Sequence, residues 1–325
     1  MRIPLVVRLA IVAALLTGSS LAAHAQAWPD RPLRFIVPFP PGGSTDTVAR
    51  AIAERLRERI GQPVAVDNKA GAGGTIGSGI AANAPPDGYT LLIGTSSTHA
   101  IAPGVFSKLP YEPTRDFSPI TLIGSATVML VTNPSVPARS VAELIALAKS
   151  QPRLLTFASS GTGGVSHLIG EYFKSRADIE LLHVPYKGDK PMIADLIGGQ
   201  VSLAFGTAVA FLPHVQKGAL HALAVTNAKP SAIAPGLPTI ADSGLPGFEA
   251  LQWFGILMPA NTPKAIVDRM NREIVAILGM PDIRDRFTSM GIDIAASSPE
   301  EFATFMASEA AKWQTIARDA KVTVN

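Results

Sequence analysis

Apolar and polar positions along this chain fall into a strand-then-helix rhythm. Leu33 to Phe39 is an apolar run bounded by prolines, the pattern of a buried strand. Behind it Val48, Ile52, Leu56 and Ile60 lie at helical spacing in a helix predicted over 47–60 and closed by Gly61. Pro63 to Val66 predicts the next strand, Thr75 to Asn83 a short helix and Tyr89 to Gly94 a third strand. The rhythm resumes with a strand at Val128 to Thr132 and a helix at Val141 to Lys149, for which Ser140 and Glu143 form a capping box. Strands at Leu154 to Ala158, Leu181 to Val184 and Val201 to Phe205 each lead into a helix, over 165–175, 192–197 and 211–217. A strand at Leu220 to Val225 and another at Leu251 to Met258 precede a helix over 263–278. The last helix runs from about Pro299 to Ala320, with Ser298 as N-cap and Glu301 three positions on.

Such alternation implies α/β architecture with mainly parallel sheets flanked by helices. The chain has 325 residues, large for one sheet and comfortable for two. Apolar strands near Ile120 to Thr132 and near Leu220 to Thr226 carry it from one lobe to the other and back. On that reading residues 26–122 plus 227–325 form a discontinuous first lobe, and 123–226 form an inserted second lobe.

Composition narrows the classes. Residues 1–25 carry Arg2 and Arg8, an apolar run from Leu9 to Leu16 and then Ala23-His24-Ala25. This pattern predicts a secretory signal peptide cleaved after Ala25, with an apolar run too short to span a bilayer, and so an exported protein. Its removal lowers the formal net charge from +3 to +1, because it contains two arginines and no acid. A near-neutral chain has no footprint for nucleic acid, which needs clustered Lys and Arg. The absence of cysteine rules out disulfides, thiolate zinc sites and cysteine nucleophiles. Hydrophobic residues make up 47%, ample for cores sustained by burial alone.

The polar and glycine residues gather directly after predicted strands. Five such loops occur: Pro40 to Asp46, Ala70 to Gly77, Gly94 to His99, Ser159 to Gly164 and Phe205 to Ala208. In open α/β sheets, ligands bind beyond the carboxyl ends of the strands. Glycine permits close backbone approach, and the following helix start offers unpaired N–H groups at the positive end of its dipole. That combination suits a small carboxylate without lysine or arginine in contact. Hydroxyls of Ser44, Thr95, Ser96, Ser160, Thr162 and Thr207 are placed to orient it. Strand-to-helix turns also use glycine and N-caps for purely local reasons. Asp46 reads either as a first-turn acid or as a ligand contact, and His167 either as a packed or capping residue or as a ligand contact.

Enzyme signatures are absent: no G-x-S-x-G, no H-E-x-x-H and no Walker A sequence. Gly77 to Ala82 matches a loose G-x-G-x-x-A inside a predicted helix, where it has no phosphate to cradle. His99, His167, His183, His214 and His221 show no metal-ligand spacing, so neither a metal nor a cofactor is expected. Glu300 and Glu301 answer to a helix dipole, and Trp253 and Phe254 to core packing. The catalytic alternative is a hydrolase using Ser96 or Ser160 with His99 or His167 as base. A further one is the ligand-sensing partner of a membrane kinase.

The stretch W-P-D-R-P-L-R-F-I-V-P-F-P-P-G-G-S-T-D, Trp28 to Asp46, resembles the receptors of tripartite tricarboxylate transporters, the Bug proteins. The similarity continues through N-K-A-G-A-G-G-T-I-G (Asn68 to Gly77), P-D-G-Y-T-L-L (Pro86 to Leu92) and V-P-Y-K-G (Val184 to Gly188). It extends to D-L-I-G-G-Q-V (Asp195 to Val201) and L-P-G-F-E (Leu245 to Glu249). The resemblance implies a two-lobed, type II-like periplasmic binding protein that is not an enzyme. It would close a cleft on a small carboxylated molecule and deliver it to membrane permease subunits, acting as a monomer. It assigns Gly42, Gly43 and Ser44 to one wall and Ser160, Gly161, Thr162 and Gly163 to the other, with Thr95, Ser96, Tyr186 and Thr207 as further contacts. Two departures are specific to this chain: Gly164-Val165-Ser166-His167 after the S-S-G-T-G run, and Asp189-Lys190-Pro191 where the family usually has small residues.

Overall fold

The computed structural model describes residues 28–324. The expected signal peptide lies outside the described residues. Two sheets organise the rest. The first contains β1 (Leu33–Val37), β2 (Val64–Asn68), β3 (Thr90–Thr95), β4 (Phe117–Ala126), β10 (Gln252–Pro259) and β11 (Ile292–Ile294), in the order β11-β4-β10-β3-β1-β2. The second contains β5 (Val128–Thr132), β6 (Thr156–Ser159), β7 (Leu182–Pro185), β8 (Leu203–Thr207) and β9 (His221–Val225), in the order β7-β6-β8-β5-β9.

The two orders follow one plan. In each, a first strand lies between its second and third in parallel, and a strand arriving from the other part of the chain wedges in antiparallel before the fourth. That wedge is β10 in the first sheet and β5 in the second. Most strands therefore run one way, as expected, but both sheets are mixed. The antiparallel wedge is a long-range event that no local pattern announces. The chain crosses between the sheets at Thr127, whose carbonyl accepts the Ala208 N–H at 2.8 Å. On the return, Thr239 bridges to Val225 and the stretch up to Ala250 lies along β9.

Helices cover both faces. Among the described residues there are ten: α1 (Ser44–Ile60), α2 (Thr75–Ala82), α3 (Ala102–Val105), α4 (Val141–Ser150), α5 (Val165–Ala177), α6 (Asp189–Ile197), α7 (Ala208–Gln216), α8 (Lys264–Leu278), α9 (Pro281–Ser289) and α10 (Pro299–Asp319). In α1 the anticipated stripe of Val48, Ile52, Leu56 and Ile60 is buried, and Gly61 ends the helix with φ 71°, a conformation that favours glycine. The helix starts three residues earlier than expected, because its first turn is polar and carries no apolar periodicity. α9 and β11 lie in a charged stretch and were not anticipated for the same reason. The capping box expected at Ser140 is half formed. Ser140 accepts the Glu143 N–H, but the Glu143 carboxylate takes the N–H of Arg139 instead. At Ser298 and Glu301 both halves are present.

One core packs the first sheet against α1, α8 and α9, and another packs the second sheet against α6 and α7. The largest core continues from one sheet to the other beneath α10. There Trp313 of α10 meets Tyr172 of α5 edge-on, and Tyr172 stacks on Phe248 at 4.5 Å. Trp253 and Phe254 are fully buried, in keeping with core packing. Gly77 and Gly79 let α2 press on the backbone: a Cβ at Gly77 would come within 2.6 Å of the Lys69 carbonyl. That is a structural reason for the loose glycine pattern. Among the described residues no helix is long and apolar enough to cross a membrane.

Candidate functional site

The carboxyl ends of β1 and β3 face the same region as those of β6 and β8. β3 runs into a π-helical turn at Ser97–Ile101, and that turn packs on α5, the helix that follows β6. A Cβ on Gly163, in the β6–α5 loop, would strike Val324 and lie 3.7 Å from Val105 of α3. Within the first lobe the loops at 38–39, 74 and 98 touch one another: a Cβ on Gly74 would come within 3.1 Å of Phe39 and 2.6 Å of Thr98. Within the second lobe the Gly188 N–H donates to the Ser160 carbonyl at 3.0 Å and the Tyr186 N–H to that of Ser159 at 2.9 Å.

In the first lobe, Gly43 is the N-cap of α1 and supplies no side-chain cap. Among the described residues the N–H groups of Gly43, Ser44, Thr45 and Asp46 make no hydrogen bond. Gly42, Gly43 and Ser44 are exposed. The loop is held by Asp46, which is buried. Its Oδ2 accepts the Gly42 N–H at 2.9 Å and Arg50 Nε at 2.9 Å, while Oδ1 accepts Asn68 Nδ2 at 2.9 Å. Asn68 also donates to the Phe39 carbonyl and accepts from Arg50. Burial raises the Asp46 pKa, but hydrogen bonds from Arg50, the Gly42 amide and Asn68 outweigh it and hold the group at about 2. Asp46 is therefore ionised and fully engaged in shaping the turn.

The second lobe repeats this construction with other residues. Gly164 is the N-cap of α5, again without a side-chain cap. The Gly163 N–H donates to His167 Nδ1 at 3.0 Å, four residues on, as Gly42 does to Asp46. The Ser160 N–H goes to Ser166 Oγ at 3.0 Å, and Gly164 N–H to the Gly161 carbonyl at 3.3 Å. The amides of Thr162, Val165, Ser166 and His167 make no hydrogen bond among the described residues. Thr162 is exposed, and Ser160, Gly161 and Gly163 are half-buried. His167 lies flat on His183, 3.8 Å between ring centroids, and Phe157 stacks beyond. Burial, His183 and Lys174 lower His167 to about 4, and burial and Lys174 do the same to His183. Both rings are neutral at pH 7, which leaves His167 Nδ1 free to accept.

The remaining expected residues divide. Thr207 ends β8 as the N-cap of α7, half-buried and without a side-chain cap bond. Tyr186 is half-buried and donates its hydroxyl to Asp195 at 2.8 Å. Thr95 is buried and its hydroxyl pairs with Thr98 at 3.3 Å; Ser96 is fully buried with an unpartnered hydroxyl. The segment after β3 is thus a coiled turn rather than an open glycine loop. Asn68, Ser166 and the backbone of Thr45 are parts of the loops that sequence reasoning missed. Asn68 stands at the head of the N-K-A-G run, which was its only signal.

Among the described residues neither Ser96 nor Ser160 pairs with His99 or His167. His99 Nδ1 turns to Thr98 at 2.8 Å, and burial depresses the ring to about 3. His167 serves Gly163, and Ser160 pairs with Ser166 at 3.1 Å. Ser159 does contact His183, at 2.7 Å, but Ser159 is wholly buried. Among the described residues no three His, Asp or Glu side chains are grouped to hold a metal ion. A separate surface cavity of about 580 Å³ lies behind α5, lined by Lys149, Glu171, Lys174, Asp178 and Asp319, and includes none of the expected site residues.

Comparison with known proteins places this arrangement. Residues 48–322 match the family described as the tripartite tricarboxylate transporter family receptor. Protein BugT of Bordetella pertussis is 36% identical over 314 residues, 96% of each chain. The structure of R. palustris Rpa4515 with adipate is 37% identical, with a TM-score of 0.80, covering 91% of this chain and 100% of that one. MatC of Rhodopseudomonas palustris, solved with bound malate, is 32% identical with a TM-score of 0.77, covering 89% and 99%.

Proposed function

This chain belongs to the tripartite tricarboxylate transporter receptor family, and from that premise we propose that it is a periplasmic receptor which closes on a small carboxylate and hands it to the permease subunits of a tripartite transporter. The observation that carries the reading is the pair of glycine-capped helix starts, α1 and α5, each with a row of unpartnered amides beside the meeting place of the two lobes. An unpaired N–H costs free energy unless water or a ligand accepts it, and the helix dipole favours an anion there. Amides of both lobes, with the hydroxyls of Ser44, Ser160, Thr162 and Thr207, form the cradle. Gly42, Gly161 and Gly163 give the loops their shape, and Asp46 and His167 act from behind as braces. Tyr186 lines the wall, whereas Thr95 and Ser96 support the floor.

Rpa4515 with adipate and MatC with malate supply the ligand class by analogy: small acids with carboxylates at both ends. The lobes divide at Thr127 and within 226–250, with α10 bridging them at the back, so closure is a rotation about those crossings. The protein works as a monomer without catalysis. The test is thermal stabilisation across dicarboxylates, tricarboxylates, aromatic acids and amino acids, paired with small-angle scattering. A receptor gains melting temperature with a subset of these and contracts on binding. A panel in which no acid raises the melting temperature, with unchanged scattering, overturns the reading.

A further inference from the structure

The loop that opens α5 is pressed from outside by the segment that follows α10. There Lys321 takes a left-handed φ of 53°, its N–H donates to the Arg318 carbonyl at 3.1 Å, and the Val322 N–H donates to that of Ala317 at 2.9 Å. These are the two bonds of a Schellman closure, and they turn the chain off the helix with Val322 packed on the largest core. The segment then meets α3. The Val324 N–H donates to the Val105 carbonyl at 2.7 Å, and Val324 forms a parallel bridge with Phe106. α3 itself lies close on α10, since a Cβ on Gly104 would come within 3.0 Å of Ala317 and Gln314.

Two glycine loops flank that bridge. A Cβ on Gly163, in the β6–α5 loop, would come within 2.6 Å of Val324 Cγ2, and one on Gly73, in the β2–α2 loop, within 3.6 Å of the Phe106 ring. The Phe106–Val324 pair therefore stands between a loop of the first sheet and a loop of the second. Gly42 and Gly163 occupy matching places, each donating its N–H to a side chain four residues on. Their surroundings differ: a Cβ on Gly42 would meet nothing within 4 Å, whereas Gly163 has Val324 against it. Valine suits that place, because branching at Cβ restricts its rotamers and Cγ2 stays where the backbone sets it. The backbone in turn is held by the hydrogen bond to Val105, which no change of side chain removes.

Resting on the receptor reading above, we propose that Val324 is a positioning residue for ligand binding. It touches no ligand. It acts through Gly163, fixing where the unpartnered amides of Thr162 and Val165 stand relative to those that open α1. His167 holds the Gly163 N–H from within α5 and Val324 meets the same glycine from outside it, so two elements grip the loop at one residue. Val324 is half-buried, and its main-chain bond survives truncation of the side chain, so shortening it frees the loop without detaching the segment.

Val324→Ala, Val324→Ile and Val322→Ala test this. Amide hydrogen exchange at Gly163 is read in the free protein, and malate, adipate or whichever acid of the panel above stabilises the wild type most is titrated calorimetrically. Val324→Ala is expected to speed exchange at Gly163 and to weaken binding of the acid by about threefold to tenfold, with the melting temperature nearly unchanged. Val324→Ile keeps the branched carbon against Gly163 and should keep wild-type exchange and affinity. Val322→Ala trims a core contact and should lower the melting temperature while leaving Gly163 as it was. Wild-type exchange and affinity in Val324→Ala, or equal effects of the two alanine variants on Gly163, overturn the assignment of Val324 and leave the receptor reading standing. Should no acid of the panel bind the wild type, the receptor reading falls and the role of Val324 in binding falls with it.

Discussion

The loops that open α1 and α5 make the same shape by different chemistry. In the first lobe a carboxylate braces the turn: Asp46 receives Gly42, Arg50 and Asn68 and stays charged down to about pH 2. In the second an uncharged ring does so: His167 receives Gly163 and is backed by His183 and Phe157. Each brace sits four residues after the glycine it holds, one turn into the helix, where its side chain reaches back over the loop. A charged brace with three donors is the stronger. A neutral imidazole depends on its protonation state and so meets its pH limit at about 4, above the limit of about 2 at Asp46.

The comparison breaks most readily at Asp46. Asp46→Ala leaves Gly42, Arg50 and Asn68 without an acceptor, and it should weaken carboxylate binding about 100-fold and cost about 1–3 kcal/mol of stability. Calorimetry and denaturant melts measure both. His167→Ala removes one neutral hydrogen bond and should weaken binding about tenfold, with partial rescue in His167→Gln, which keeps an acceptor. An equal loss from the two alanine variants would refute the ranking.

Acid should separate the lobes. His167 and His183 sit at about 4 when folded against 6.5 in the open chain. As pH falls from 6.5 towards 4, the unfolded chain takes up protons that the folded one refuses, so stability declines across that window. Below about 4 the folded imidazole protonates, with Glu171 and Lys174 as the other charges facing it, and Nδ1 no longer accepts the Gly163 N–H. Asp46 has the same sense at lower pH: its contribution is complete above 3.8 and is lost as pH falls through about 2. Amide NMR shifts during titration should therefore move at Gly163 before Gly42.

Smaller effects sharpen the role of the helix starts. Gly43 has φ −81°, open to any residue, and a Cβ there meets nothing closer than 3.9 Å. Gly43→Ser would supply the missing cap, raising stability by a few tenths of a kcal/mol while reducing affinity severalfold, because the new hydroxyl competes for the amides. Ser140→Ala, at a helix that already has its serine cap, should lower stability by about 1 kcal/mol and leave affinity unchanged. Stability and affinity moving in opposite directions at Gly43 alone is the signature of amides kept free for a ligand.

Some of this was legible in the residues. The apolar stripe of α1, the β5 run and the Ser298 cap depend on spacings of a few residues, and sequence carries those directly. The glycine and hydroxyl loops were visible as candidates, and the ambiguity over Asp46 and His167 was real, since a first-turn acid or histidine looks the same whether it faces a ligand or its own loop. Their partners in the fold, Asn68 and His183, lie 22 and 16 residues away, out of reach of any local pattern. The Gly94 to His99 segment misled in the other direction. Its polar composition suggested an open loop, but Thr95, Ser96 and His99 are buried in a coiled turn whose bonds run among themselves and to Tyr111.

By itself, the order of amino acids determined which segments become strands and helices, where many of them cap and which turns admit glycine, because these follow from backbone sterics and from side chains within one or two turns of each other. Only the folded chain decided that β10 and β5 invert and wedge into their sheets and that α10 packs on both the π-helical turn after β3 and α5. Those facts depend on contacts between residues tens to hundreds of positions apart, whose meeting is set by the closing of two cores rather than by any local preference.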